Sequence, residues 1–276
     1  MPEVKKKQII ADLYKVGFPT EVALSLELQR QKWGVYNSPL FEDPDTGKSR
    51  EIDIHAYDVD FSLSSKAKKK MQKGDENKMI SHLVIEVKKS EKPWVFFDNG
   101  TPYFWPQIPM QNFKSSFEDF DSFVIFDSKV GFNLKSHRYM ASKLYKSFHT
   151  VFTKPSEPSQ IYEALIKVSK AITFIKQHYA AGGLVVHLFT PVIVLDGSLW
   201  GASLDKNDKV SIKKANFIPV VFSQLLKNAR LNMSFEEDQI CDVVLKKYFP
   251  EYIRTVKKNN KSIYRLWTKW VNDIKK

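Results

Sequence analysis

A chain of 276 residues that is 43% hydrophobic, with 20 Phe, 11 Tyr and 6 Trp, carries enough apolar mass for a full core, which excludes a disordered chain. Lys and Arg outnumber Asp and Glu by 43 to 31, a formal charge of +12, so polyanions are the expected partners, nucleic acid before an anionic membrane surface. The lone cysteine, Cys241, excludes an intramolecular disulfide or a cysteine metal cluster, and the longest apolar run, residues 184–195, is too short for a membrane helix. The opening MPEVKKKQII lacks the apolar stretch of a signal peptide, so the expectation is a cytoplasmic protein without a membrane partner.

Residues 3–15 read as a short basic helix ended by Gly17 and Pro19, and Thr20 is placed to cap a second helix over 20–33. On that helix Val22, Ala23, Leu26 and Trp33 share one face, with Leu24 and Leu28 beside them. A strand over 34–41, a turn over 42–48 and a strand over 49–59 follow. In the last, Ile52, Ile54 and Ala56 alternate with Glu51, Asp53 and His55, so a period of two sends the sets to opposite faces. Residues 60–79 read as a lysine-rich loop or frayed helix. Residues 81–89 alternate again, Leu83, Ile85 and Val87 against His82, Val84, Glu86 and Lys88. Then come an aromatic segment over 93–109 with a hairpin turn at Asp98, Asn99 and Gly100, and a strand over 121–127. A long helix over 157–180 follows, with Ile161, Leu165, Val168, Ile172 and Ile175 as its buried stripe. Strands are expected over 183–196, ending in a turn at Asp196-Gly197, and over 209–222; from about 235 the chain reads as helical, with a break near Pro250. The order predicts a single α/β (α+β) domain, 1–276, with a central mixed sheet flanked by helices. Its core covers 18–90 and 157–225, with a large insertion over 91–156 and a basic helical extension over 235–276.

Two strands thus present an acid opposite their apolar residues: Asp53 in one, Glu86 in the other, with Lys88 two positions on and on the same side. If the strands are neighbours, two carboxylates and an ammonium converge. Carboxylate oxygens with room for water suit Mg²⁺ or Mn²⁺. Phosphodiester hydrolysis needs an activated water and neutralisation of charge on the phosphate, which a metal supplies and a lysine assists.

Thr20-Glu21 at a helix start, REIDI at 50–54 and LVIEVKKS at 83–90 resemble the PD-(D/E)XK nuclease superfamily, the restriction-endonuclease-like fold. The order of helix, three-stranded meander, helix and strand resembles that family's core, over about 18–90 and 157–196. The resemblance implies a metal-dependent endonuclease in which Asp53 and Glu86 bind metal, the backbone carbonyl of Val87 is a third ligand and Lys88 works on the water. It also implies that Glu21 binds metal through water or supports a second ion; the alternative is a carboxylate favoured by the helix dipole. By the same analogy the function is restriction or phage defence, with a partner protein of a defence system; a double-strand cutter of this kind implies a homodimer. The sequence departs from the pattern in three places: Ile52 stands where the family has Pro, lysines fill the long gap between Asp53 and Glu86, and residues 91–156 intervene before the long helix. The alternative function is a nucleic-acid-binding module of the same fold that is inactive or needs a partner.

Glu51 and His55, on the face assigned to Asp53, read as supports of the site or as solvent-facing; His82 reads as a strand-edge residue. Lys66, Lys68, Lys69, Lys70 and Lys73, inserted between the acidic strands, and Lys257, Lys258, Lys261 and Arg265 on the C-terminal helix are expected to hold a sugar-phosphate backbone beside the active edge, DNA before RNA. A solvated surface is the plainer reading of such charge runs. Tyr264, Trp267 and Val271 have helical spacing and read as core; the aromatics of 94–105 read as a packed hairpin before a base-stacking platform.

Overall fold

The computed structural model describes residues 3–15, 17–60, 78–98, 113–115, 138–139, 143–154, 157, 159–178, 185–228 and 233–274. The lysines of 66–73, the expected strand over 121–127 and the turn residues Asn99 and Gly100 lie outside them.

Helix α1 (Glu3–Lys15) and helix α2 (Phe18–Arg30) meet at Gly17, whose φ of 85° is a left-handed conformation that a glycine adopts without cost. Gly17 caps α2 and Pro19 enters its first turn, so the helix starts ahead of Thr20, whose hydroxyl is engaged elsewhere. The buried face of α2 also differs from expectation: Thr20, Leu24, Ser25 and Leu28 are buried, whereas Val22 and Leu26 are exposed. Spacing alone offered two adjacent apolar stripes, and packing against the sheet chose the one through Leu24 and Leu28. Trp33 is buried beyond the helix end.

The expected strand over 34–41 divides into β1 (Gly34–Asn37) and β2 (Leu40–Glu42), and the one over 49–59 into β3 (Ser49–Glu51) and β4 (Ile54–Asp60). β2 and β3 pair as a hairpin whose turn uses Gly47 at φ 65°. The break at Ile52-Asp53 has a local cause. The pairing of Ile54 with Ile85 on the next strand would bring the backbone of Ile52 opposite Val87; instead Val87 N–H donates to Asp53 Oδ2 at 2.6 Å. A side chain takes the ladder position, the pleat is lost, and Ile52 and Ile54 pack on opposite faces of the sheet.

The rest of the chain supplies β5 (Lys78–Lys89), β6 (Trp94–Phe97), β7 (Phe113–Ser115), β8 (Ser147–Thr150), α3 (Gln160–His178), β9 (Val185–Asp196), β10 (Leu199–Leu204), β11 (Val210–Lys214), β12 (Phe217–Asn228), β13 (Met233–Leu245), a 3-10 turn (Lys246–Tyr248) and α4 (Phe249–Ile274). The central sheet runs β1-β4-β5-β9-β13-β12, with β7 also paired to β9. β1, β4 and β5 form an antiparallel meander, while β5, β9 and β13 run parallel, so the sheet is mixed. A smaller sheet, β11-β10-β6-β8, ties the insertion to the hairpin that follows β9. The helical reading from 235 is corrected: β13 lies between β9 and β12 and buries Cys241 and Val243 on one face and Val244 on the other. Residues 239–245 are buried on both faces, the polar Gln239 and Asp242 included, so period-two alternation is lost. Pro250 sits in the first turn of α4, where its missing N–H costs nothing, and breaks no helix.

Helices cover both faces. Ile161, Leu165, Val168, Ile172 and Ile175 of α3 pack with Phe41, Ile52, Val84, Phe189 and Ile193 on one side. Leu24 and Leu28 of α2 and Phe249, Tyr252, Ile253 and Val256 of α4 pack with Ile54, Leu83, Ile85 and Val194 on the other. Each such side chain contributes about 1.5–3 kcal/mol on burial.

Candidate active site

Alternation along β5 places His82, Val84, Glu86 and Lys88 on one face, as the sequence predicts, and α3 covers that face. Glu86 is the more buried of the two candidate acids, its side chain 1% exposed against 14% for Asp53. Lys88 Nζ lies 2.8 Å from Glu86 Oε1. Asp53, held at the bend by Val87 N–H, faces the same space. Between the two acids stands Lys167, from the third turn of α3, a residue the sequence reasoning passed over. Its Nζ lies 2.9 Å from Glu86 Oε1, 2.7 Å from Oε2 and 3.4 Å from Asp53 Oδ1. The missed signal was a lysine next to Val168 at the margin of an apolar stripe, a position from which a long side chain reaches the sheet edge.

Burial, and then the charge of Asp53, raise the Glu86 carboxyl above its ordinary range, against the opposing pull of Lys88 and Lys167. Burial alone would lower the Lys167 ammonium, but Glu86 and Asp53 outweigh it and its pKa is raised. Glu21, in the first turn of α2, is raised by burial and then by Asp53, Glu51 and Glu86, so its carboxylate shares this electrostatic neighbourhood. Two ammonium groups therefore balance two close carboxylates, and Glu21 adds a third negative charge at the margin.

A hard divalent cation suits these groups. Glu86 Oε2 is buried and, although Lys167 is near, off the line of any hydrogen bond; it accepts none among the described residues. In an extended strand the N–H and C=O of one residue face the same edge, so the Val87 carbonyl shares the side of its N–H, toward Asp53. No group of three or more His, Cys, Asp or Glu in metal-holding geometry stands among the described residues. Two carboxylates and a carbonyl, completed by water, are the kind of set Mg²⁺ accepts.

Other candidates fall elsewhere. Glu51 is exposed at the end of β3. His55 and His82 are neither solvent-facing nor at an edge. With His187 of β9 they form a buried row across three strands: His55 Nε2 lies 3.1 Å from His82 Nδ1, and His82 Nε2 lies 2.9 Å from His187 Nδ1. Ring centroids 5.3 and 5.2 Å apart, with planes within 25°, make this an edge-to-edge chain of N–H···N bonds and not a face-to-face stack. Burial lowers the pKa of His55 to about 4; burial, then His55 and His187, lower that of His82 to about 2. Asp196 and Thr20, beside the end of β9, are tied to Lys246, whose Nζ lies 2.7 Å from Asp196 Oδ2 and 3.0 Å from Thr20 Oγ1.

The basic C-terminal helix is not beside the acids. Lys257 pairs with Asp58 at 3.1 Å, donates to the Gln31 carbonyl and lies over the Trp33 ring. Asp58 is five strand residues beyond Asp53, about 16 Å at ~3.3 Å per residue. Lys257 is thus committed within the fold, which removes it from the expected backbone contacts. Arg254, Lys258, Lys261 and Arg265, spaced as one helical stripe, are exposed and make no ion pair among the described residues. Tyr264 is buried, as its spacing predicts; the side chains of Trp267 and Val271 lie outside the described residues. No helix among the described residues is long and apolar enough to cross a membrane. Comparison with family models, characterised proteins and solved structures finds no match for this chain.

Proposed function

We propose that this chain is a Mg²⁺- or Mn²⁺-dependent nuclease that hydrolyses nucleic-acid phosphodiesters, DNA before RNA. The observation that carries the reading is the meeting of Asp53 and the buried Glu86 carboxylate at the bend between β3 and β4. The succession of α2, the meander β1-β4-β5, α3 and the parallel strand β9 supports the restriction-endonuclease-like reading of the core. Asp53, Glu86 and the Val87 carbonyl would hold the metal, with Glu21 behind them. When bound, the metal supplies an acidified water and neutralises charge on the phosphate. Lys88, more exposed than Glu86, would orient the attacking water, and Lys167 would meet the charge on a phosphate oxygen. Restriction or phage defence is the biological setting this reading suggests.

A second reading is a nucleic-acid-binding module of the same architecture without chemistry. Lys167 favours it, because an ammonium between the acids already neutralises them. Cleavage assays on plasmid, linear duplex, single-stranded DNA and RNA, with each metal, separate the two. The nuclease reading expects metal-dependent cleavage that Asp53→Ala and Glu86→Ala abolish and Lys88→Ala greatly slows. Binding with no cleavage under any metal, or full activity in folded Asp53→Ala, overturns it.

A further inference from the structure

A cleft of about 620 Å³ opens between the β2–β3 hairpin and α3, lined among others by Phe41, Arg50, Glu51, Tyr162, Ile166 and Lys167. It adjoins the acids through Lys167, and Glu51 stands two residues before Asp53. Phe41, buried, and Ile166, half-buried, give it an apolar floor, while Tyr162 is 55% exposed. Arg50 is exposed and only loosely paired, 3.8 Å from Asp43. The walls are fixed to each other: Lys170 of α3 binds Asp43 at 3.0 Å and Asp45 at 2.8 Å across the hairpin turn. The cleft is therefore preformed, with an apolar floor, an aromatic ring and three cations set against the carboxylates of Asp43, Glu51 and Glu163; Lys167 and Lys170 are each held by acids, which leaves Arg50 as the cation with the longest pairing. Its volume falls within the ~300–1,000 Å³ of pockets that enclose a small ligand. That is room for a nucleoside but not for a base pair continuous with its duplex.

We propose that this cleft takes an unpaired nucleobase next to the phosphodiester presented to Asp53 and Glu86, with Tyr162 stacking on the base and Arg50 meeting the flanking phosphate. The proposal rests on the phosphodiesterase reading and narrows it: the preferred substrate is a single strand, a flap or an unpaired loop, and not an intact duplex.

The test is binding to the full chain in chelator, so that no cleavage occurs, read by fluorescence anisotropy of a labelled oligothymidine and of a blunt duplex. Tyr162→Ala is expected to weaken oligothymidine binding roughly five- to a hundredfold, the range of one base–aromatic stack, and to leave duplex binding unchanged. Tyr162→Phe keeps the ring and should bind like the parent, which separates stacking from damage to the fold. A 2-aminopurine within the strand should be quenched by the parent and not by Tyr162→Ala. Equal binding by Tyr162→Ala, or an equal loss in Tyr162→Phe, overturns the cleft. Tyr162-dependent single-strand binding without cleavage under any metal supports the cleft and overturns the nuclease reading. Metal-dependent cleavage with binding indifferent to Tyr162 does the reverse.

Discussion

Replacing Lys167 with Met keeps the apolar stem and removes the ammonium that stands between the acids. Loss of one partner from a fully buried ion pair costs about 3–5 kcal/mol. The cost here is smaller for two reasons visible in the geometry. The Lys167 side chain is 32% exposed, so water screens part of the interaction, and Lys88 still holds Glu86 Oε1 at 2.8 Å. Removing the ammonium leaves the charges of Glu86 and Asp53 less compensated, and about 1–3 kcal/mol of destabilisation follows, below the fully buried case. If a divalent cation belongs between these groups, it supplies the missing charge. A cation at a hundred times its dissociation constant stabilises the native state by about 2.7 kcal/mol, enough to return most of the loss. Urea denaturation at neutral pH, with chelator and then with Mn²⁺, reads both effects. Lys167→Met should unfold at lower urea than the parent in chelator and gain more from Mn²⁺ than the parent does, because the parent must displace its own lysine. Equal stability in chelator would refute the electrostatic argument, and a Mn²⁺ increment no larger than the parent's would refute the cation site.

Two further outcomes are expected. Burial lowers the pKa of His55 from 6.5 to about 4, so between these values the unfolded chain binds a proton that the native state refuses. Stability should be full above about pH 6.5 and fall by about 3 kcal/mol from this group as the pH drops toward 4, a dependence that urea midpoints across that range will show flattened in a folded His55→Gln variant. On α4, changing Lys258, Lys261 and Arg265 together to Gln should weaken binding of any nucleic acid and lower the slope of log affinity against log salt by up to about 3, with an unchanged slope marking ordinary solvated surface.

The legible parts of this molecule were those in which one physical rule acted alone. Strand alternation put Glu86 and Lys88 on one face, and helical spacing found the five large buried residues of the α3 stripe, though not Ala164, Ser169 and Ala171 beside them. Rules in competition gave the misreadings. In REIDI the alternation was intact, yet Asp53 accepted a backbone N–H and turned the chain, which no periodicity encodes. β13 reads as helix because burial on both faces erases alternation. Lys167 comes to the acids from 81 positions beyond Glu86, through packing of α3 on the sheet. His82 reads as an edge residue when its strand is taken alone; only the pairing of β5 with both β4 and β9 makes it the middle of a chain.

That chain carries a constraint of its own. A neutral imidazole holds its hydrogen on one nitrogen, and each of the two links, His55 Nε2 to His82 Nδ1 and His82 Nε2 to His187 Nδ1, requires one hydrogen and one lone pair. If His82 carries its hydrogen on Nδ1, His55 must accept on Nε2 and His187 must donate from Nδ1, so all three rings are Nδ1–H tautomers. If His82 carries it on Nε2, all three are Nε2–H. No mixed arrangement keeps both bonds. The tautomer of a histidine on β4 is thereby bound to that of a histidine on β9, across the whole width of β5, and the row has only two polarities. Whatever selects donor or acceptor character at the outer nitrogen of His55 selects the opposite character at the outer nitrogen of His187, with no movement of the backbone between them.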